Sequence, residues 1–404
     1  MRPVSRAVAA IEILDDYLSG IPVELVLKRW FRNNRFAGSN DRNLIRDIIF
    51  EILRRRKSLI FPFESMGYKE NGRLLTLSYL ADHYDLHDLT TEIEKNEYFF
   101  NPPNREEIAV LSEKKDILAK APSFVAFDYP PFLANGLFQT LGKNTEPVLA
   151  KMQERAPLYL RVNSLKNGLH EAQKNLVNEG ILCSQLSLSA NALQVTEGRK
   201  LVKNSKSYST GMVEIQDLSS QIMTDLPEIE GNTRILDYCA GGGGKTLAIA
   251  SKTMNQAELL SFDINQEKLF NLRKRTSRAG AKVRILKVMD LGMYRSACDV
   301  VFVDSPCSGS GTWRRDPEAK WDLTENKLKM FIKKQAEILG EASQYVRNGG
   351  IIVYVVCSLL PEEGDAQVKR FLSENHNFQN VSRSILHPLV AGDGFFRAVL
   401  KRIK

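Results

Sequence analysis

"RILDYCAGGGGKTLAIASKT", Arg234 to Thr253, decides how this chain folds. A short apolar run of strand character ends on an acid, Asp237. The chain then passes through Cys239 and Ala240 into four glycines, Gly241, Gly242, Gly243 and Gly244, and continues from Lys245 as an amphipathic helix. Glycine lets a backbone approach a ligand closely, and a helix N-terminus presents amide donors. Strand, glycine loop and helix in this order form the opening unit of a wound α/β sheet.

After Gly231 the same alternation continues. "ELLSFD" precedes "QEKLFNLRKRTSRAG", and "VRILKVMD" follows. "CDVVFVD" precedes "NKLKMFIKKQAEILGEASQYV", "GIIVYVVC" precedes "EEGDAQVKRFLSEN", and "FFRAVLKRI" closes the chain. The pattern predicts a doubly wound, Rossmann-like α/β domain over residues 226–404, with a parallel sheet covered by helices. Ligands of such sheets sit beyond the carboxyl ends of the strands, so strand-end residues are the candidates for function.

Upstream, residues 136–225 mix short strand candidates ("PLYLRVN", "ILCSQLSL", "ALQVTE") with a helix, "GLHEAQKNLVNEG", that Gly180 ends. This reads as a small α/β module. Residues 1–135 read as all-helical. "RAVAAIEILDDYL" places Val8, Ile11, Leu14 and Leu18 at helical spacing. "SNDRNLIRDIIFEILRRR" opens with a cap-type Ser-Asn-Asp and presents Leu44, Ile45, Ile48, Ile49, Ile52 and Leu53 on one face. The proline pairs in "NPPN" and "YPPF" break the helical pattern.

The 404 residues are 43% hydrophobic and 26% charged, which fits a globular protein of two or three domains. The net charge of +8 is locally concentrated in Arg54, Arg55, Arg56 and Lys57 and in Arg273, Lys274, Arg275 and Arg278. Such runs suit a solvated surface or a polyanionic partner such as nucleic acid. The five scattered cysteines form no disulfide framework and have no zinc spacing, so no metal is expected. With no long apolar N-terminal run, the expectation is no signal peptide, no membrane span and a reducing cytoplasm. Nothing in the sequence assigns an oligomeric state.

The glycine loop admits two ligands. Its Gly-Lys-Thr ending is that of a nucleotide-triphosphate P-loop, with "VVFVD" as the magnesium acid. That pattern requires glycine where Cys239 stands. The other ligand is S-adenosyl-L-methionine. It calls for an acid after the second strand to take the ribose hydroxyls, and Asp263 lies 22 residues past Gly241. Asp290 follows the third strand and would accept from the adenine amino group, while Asp237 ends the first. Acids at successive strand ends suit a ribose, amines and a sulfonium better than a triphosphate. The plain alternative is that Asp263 and Asp290 only cap turns.

Past the fourth strand, "VVFVDSPCSGSGTW" runs from an apolar strand through Asp304 and Pro306 to Cys307. The fifth strand ends at Val356, and Cys357 follows. If those strands are neighbours, about 4.8 Å apart, both thiols project into one crevice. Cys183 and Cys298, inside strand-like runs, read as buried structural cysteines. A thiol beside a methyl donor has a specific use. Thiolate addition to carbon 6 of a pyrimidine makes carbon 5 nucleophilic, and a base then removes the carbon 5 proton so that the thiolate leaves. Asp304 would hydrogen-bond the cytosine ring nitrogen or amino group, and Pro306 would fix the turn that aims Cys307.

These segments resemble the RNA cytosine-5 methyltransferases of the Sun/RsmB type. The similarity covers roughly residues 140–404 and rests on "YLRVN", "VEIQDLSSQ", "DYCAGGGGKT", "DSPCSGSGTWRRDP", "VYVVCSLLPEE" and "GDGFFRAVLKR", in that order. The resemblance implies S-adenosyl-L-methionine as cofactor and 5-methylcytosine in RNA as product, with small-subunit ribosomal RNA the expected substrate. It implies Cys357 as nucleophile, Cys307 as the thiol that assists release, and Lys245 and Asp304 as holders of the target base. The N-terminal helices resemble the NusB-like RNA-binding domain of the bacterial members. The chain departs from the family pattern in three places. Gly241–Gly244 replaces Ala-Pro-Gly-Gly, Val356 replaces threonine, and Gly364 replaces asparagine.

Two other readings stay open at this level: an RNA-binding or assembly factor that keeps the fold without turnover, and a P-loop-like ATPase. Trp313, Arg314 and Arg315 either contact nucleotides beside the target or pack on their own domain.

Overall fold

The computed structural model describes residues 1–95, 101–226 and 233–403. Gly231 and Lys404, which bound the expected C-terminal alternation, lie outside the described residues. The chain forms two compact units. One comprises Met1–Asn135, Lys143–Arg155 and Trp313–Leu323; the other comprises Gly136–Gly142, Ala156–Thr312 and Thr324–Lys404.

The first unit is helical throughout its described regular structure. The helix Pro3–Leu18 buries Ala7, Ala10, Ile11 and Leu14, and the helix Ser39–Arg54 buries Ile45, Ile49, Ile52 and Leu53. These positions recur at helical spacing, so each helix turns one apolar stripe to the core. Leu44 and Ile48 are only partly covered. Ser39, Asn40 and Asp41 begin their helix rather than cap it, for the cap position is Gly38. Asp41 instead takes the N-terminal amine at 3.1 Å and Arg6 Nε at 2.9 Å. A full capping box lies in "NPPN", where Asn104 and Glu107 bond reciprocally at the head of Arg105–Ala119. The short helix Pro317–Asp322 belongs to this unit. Lys320 Nζ donates to the Arg54 carbonyl at 2.7 Å, and Trp321 Nε1 donates to that of Leu53 at 2.6 Å.

The second unit holds two sheets. Strands β1 (Leu158–Val162), β2 (Leu182–Gln185), β3 (Ala192–Glu197) and β4 (Val213–Ile215) form an antiparallel sheet in the order β2-β3-β1-β4. The larger sheet contains β5 (Arg234–Asp237), β6 (Glu258–Ser261), β7 (Arg284–Ile285), β8 (Cys298–Asp304), β9 (Val346–Val356), β10 (Phe378–Leu386) and β11 (Phe395–Arg402). Its order is β10-β11-β9-β8-β5-β6-β7.

Strands β5 to β9 pair in parallel, whereas β11 pairs antiparallel with both β9 and β10. The sheet is therefore mixed, not wholly parallel. In the parallel part, alternate residues feed two cores. Leu236, Leu260, Val301, Val303 and Tyr354 face one way, and Ile235, Leu259, Val300, Phe302 and Val353 face the other. Burial on both sides explains the near-continuous apolar runs. The chain leaves β5 for β6 and β7 on one side, then returns to β8 on the other. The order thus reverses between β5 and β8, where an open α/β sheet leaves a crevice beyond the strand ends.

Candidate active site

The crevice is a cavity of about 770 Å³, within the usual size range of ligand sites. Of the residues singled out from sequence, Cys239, Gly241, Lys245, Asp263, Asp304, Cys307 and Cys357 line it. Asp237, Ala240, Gly242, Gly243 and Gly244 belong to the adjoining strand end and loop without lining it. Asp290 is not brought in. The third strand stops at Ile285, and Asp290 sits in a following 3-10 turn, where its carboxylate accepts the Lys287 N–H at 2.8 Å. Val288, Leu291 and Gly292, on either side of it, do line the cavity.

The glycine loop owes its course to two left-handed residues, Gly241 at φ +52° and Gly243 at φ +83°. At Gly243 a Cβ would stand 2.2 Å from Leu272 Cδ1, so any other residue would also have to displace the tip of that side chain. The loop is tied at two points. Gly241 N–H donates to Asp263 Oδ2 at 2.8 Å, and Arg275 Nη1 donates to the Gly242 carbonyl at 2.6 Å. Arg275 is itself held by the buried Glu214 at 2.9 Å. Four glycines in a row are thus kept in one conformation by side chains from elsewhere in the unit.

Below the loop, Asp237 is fully buried and accepts Thr246 Oγ1 at 2.6 Å. Burial pushes its carboxyl up to about 7. The hydroxyl that a P-loop would offer to magnesium is therefore spent on Asp237. The lysine of the same motif is also committed, since Lys245 Nζ donates to Asp304 Oδ2 at 2.6 Å and lies 5.2 Å from the centre of the Phe395 ring. Burial pulls the Lys245 ammonium down, but the Asp304 charge and hydrogen bond, with the charges of Cys357 and Asp237, together outweigh it and hold the pKa above the ordinary lysine value.

Cys307 and Cys357 meet in this cavity with their sulfurs 3.3 Å apart. The parallel register of β8 and β9 sets Asp304 opposite Val355, so both chains leave the sheet side by side. The Cys307 thiol is pushed well up by its hydrogen bond with Cys357 and then by burial. Burial likewise raises Cys239. Cys183 and Cys298 lie in β2 and β8, with thiols raised by burial to about 11 and about 12.

Glu363 has no role on the strength of the sequence, yet it sits beneath both thiol loops. Its carboxylate accepts Ser308 N–H at 2.8 Å and Ser358 Oγ at 2.5 Å. The available signal is a serine directly after each thiol, with an acid five residues beyond Ser358.

The basic runs are largely engaged within the protein. Arg54 is buried and donates to the Arg314 carbonyl at 2.7 Å. Arg55 pairs with Asp82, Arg56 with Glu70 and Lys57 with Glu64. In the second run, Arg275 and Arg278 both pair with Glu214. Trp313 and Arg314 are buried, which favours a packed loop. No described helix is long and apolar enough to cross a membrane. Among the described residues no His, Cys, Asp and Glu cluster is arranged to hold a metal ion.

Residues 224–399 match the family described as 16S rRNA methyltransferase RsmB/F, and residues 129–201 match the ferredoxin-like domain of RsmF/B-like methyltransferases. Ribosomal RNA small subunit methyltransferase B of Proteus mirabilis is 30% identical over 283 residues, which cover 68% of this chain and 66% of that protein. The match thus spans just under two-thirds of that relative. Among solved structures, PH0851 aligns over 100% of this chain and 99% of its own, with a TM-score of 0.75 and 21% identity. NSun6 from Pyrococcus horikoshii, solved with SFG, covers 68% of this chain and 98% of its own, with a TM-score of 0.60 and 18% identity. These two likenesses concern the fold.

Proposed function

This chain belongs to the RsmB/F methyltransferase family, and we propose that it forms 5-methylcytosine in RNA through a covalent cysteine adduct. Small-subunit ribosomal RNA, the substrate named for its relatives, is the proposed target, and the cytoplasm the proposed place of action. The observation that carries the reading is the pair of sulfurs, 3.3 Å apart, on the wall of one strand-end cavity.

The cofactor is S-adenosyl-L-methionine, which when bound supplies the electrophilic methyl group. The cavity has the chemistry to hold it. Asp263 uses one lone pair of each oxygen on backbone N–H groups, from Gly241 and Asn265. The remaining lone pairs are available to two ribose hydroxyls. Beside it, Ile264 and Val288 are 78% and 64% exposed, apolar surfaces suited to a flat base.

The protein's own part follows from its side chains. Cys357 adds through Sγ to carbon 6 of the cytosine, and carbon 5 becomes enamine-like. Asp304 hydrogen-bonds the cytosine edge and favours that addition, while Lys245 keeps the Asp304 carboxylate in place. Once carbon 5 carries the new methyl group, the Cys307 sulfur, as thiolate, takes the carbon 5 proton, and the Cys357 thiolate departs as the ring regains its double bond.

We read the helical unit as the RNA-holding part. Its paired basic run is not the contact surface. Lys28, Arg32 and Arg35 have no ion-pair partner among the described residues, and Phe36 beside them is 71% exposed. Such cations next to an exposed ring suit phosphates and an unstacked base.

The test is bisulfite sequencing of small-subunit ribosomal RNA, purified from cells lacking this protein and then incubated with the protein and cofactor. A single new protected cytosine is expected. Methyl transfer at no cytosine, or to another base, would overturn the reading.

A further inference from the structure

Ser308 and Ser358 directly follow the two thiols, and both hydroxyls donate to Oε2 of Glu363, Ser358 at 2.5 Å. Oε1 of Glu363 accepts the Ser308 N–H at 2.8 Å and the Gln335 side-chain amide at 2.9 Å. Gln335 also donates to the Pro306 carbonyl at 3.0 Å. One carboxylate therefore governs the residues on both sides of Cys307 and the residue after Cys357. Ser310 adds a second bridge. Its Oγ lies 2.9 Å from Ser358 Oγ and accepts the Leu359 N–H at 2.9 Å. The Glu363 carbonyl is fastened to β9 by Tyr354 OH at 2.7 Å.

The network is shut off from solvent. Glu363, Gln335 and Ser310 are 0% exposed and Ser358 is 1% exposed. A buried carboxylate is costly unless donors satisfy it, and removing such an acceptor leaves several donors unpaired. Glu363 does not line the cavity, so it touches neither a base nor a methyl donor. A fully satisfied buried network of this kind enforces one geometry.

We infer that Glu363 is a positioning residue for the thiol pair: it sets the spacing and aim of Cys307 against Cys357 without meeting the substrate. The inference deepens the two-thiol reading above and rests on it for its catalytic meaning. The geometric part stands independently. Without Glu363 and its serines, the two loops are still joined by backbone bonds, Gly311 N–H to the Cys357 carbonyl at 3.0 Å and Ser305 N–H to the Val355 carbonyl at 2.9 Å, which fix neither thiol's side chain. Misplacing reacting groups by about 1 Å costs about 100-fold in rate.

The test compares wild type with E363Q, which keeps the volume but offers an amide group where an acceptor met serine hydroxyls. The first readout needs no methyl transfer. The thiol pair is equilibrated with reduced and oxidised glutathione, and the Cys307–Cys357 disulfide is quantified by peptide mapping. Each disulfide formed converts one oxidised glutathione to two reduced molecules. The wild type is expected to close the disulfide at least about 10-fold more favourably than E363Q, because the folded loops hold the sulfurs together. The second readout is single-turnover methyl transfer, where kcat falls about 10- to 100-fold while KM for RNA and cofactor affinity stay within about 3-fold. If E363Q does not fold, S358A removes one donor and tests the same geometry, with about a 3-fold loss expected in both readouts. Unchanged disulfide equilibrium and unchanged kcat overturn the inference. A shifted disulfide equilibrium in a protein that methylates no RNA upholds it while the proposed function fails.

Discussion

Cys307 and Cys357 are 50 residues apart in the chain, yet their sulfurs lie 3.3 Å from each other. The register of β8 and β9 brings their loops together, with Asp304 opposite Val355. A backbone bond from Gly311 N–H to the Cys357 carbonyl, 3.0 Å long, then ties one loop to the other. A pair so placed beside a strand-end cavity can divide attack and proton handling between two sulfurs.

The Lys245–Asp304 pair makes a prediction that does not depend on RNA. Burial lowers the Lys245 ammonium, and the Asp304 charge and hydrogen bond are the main contributions that offset it. In D304N that support is gone, and the Lys245 pKa falls. An NMR titration of the Lys245 ammonium is expected to show the drop, together with a loss of about 100-fold or more in methyl-transfer rate. An unchanged titration and rate would refute the pairing as a functional element.

Asp237 links stability to pH. Its carboxyl is raised from 3.8 to about 7 by burial, so the folded protein binds a proton there that the unfolded chain releases. The resulting stabilisation is complete below about pH 4 and is lost as pH rises through about 7. D237N removes this dependence. Relative to wild type, it is expected to be more stable at pH 8 than at pH 5, by on the order of a few kcal/mol. Denaturant unfolding at the two pH values measures the difference, and equal effects at both would contradict the assignment.

Gly243 and Gly244 separate a strained site from an open one. G243A places a methyl group 2.2 Å from Leu272 Cδ1 at a φ of +83°. It is expected to cost about 2–4 kcal/mol and to weaken cofactor binding. At Gly244 an added Cβ meets nothing within 4 Å, so G244A is expected to stay within about 0.5 kcal/mol of wild type. Thermal melts of both variants, with and without S-adenosyl-L-methionine, check the contrast.

Much of this architecture is legible in the residues. Strands buried on both faces are continuous apolar runs, so β5, β6, β8 and β9 stand out, and the thiols follow from being strand-end residues. Other features are not legible, for identifiable reasons. Strand β10 is an exposed edge, "FQNVSRSIL", and lacks an apolar pattern. Strand β7 is only Arg284–Ile285, so the run through "VRILKVMD" overstates it, and Asp290 lies in the 3-10 turn that follows. The run from Arg54 to Lys57 looks like a polyanion surface because a sequence shows charges but not their partners, Asp82, Glu70 and Glu64. Glu363 is silent in the sequence because its importance lies in the convergence of donors from three separate segments.

In the proposed mechanism Cys357 attacks and Cys307 releases. The most direct measurement is denaturing electrophoresis of C307A, C357A and the double variant after incubation with substrate RNA and S-adenosyl-L-methionine. A covalent protein–RNA band is expected for C307A and none for C357A or the double variant. A band for C357A, or its absence from C307A while wild type methylates the same RNA, would contradict it.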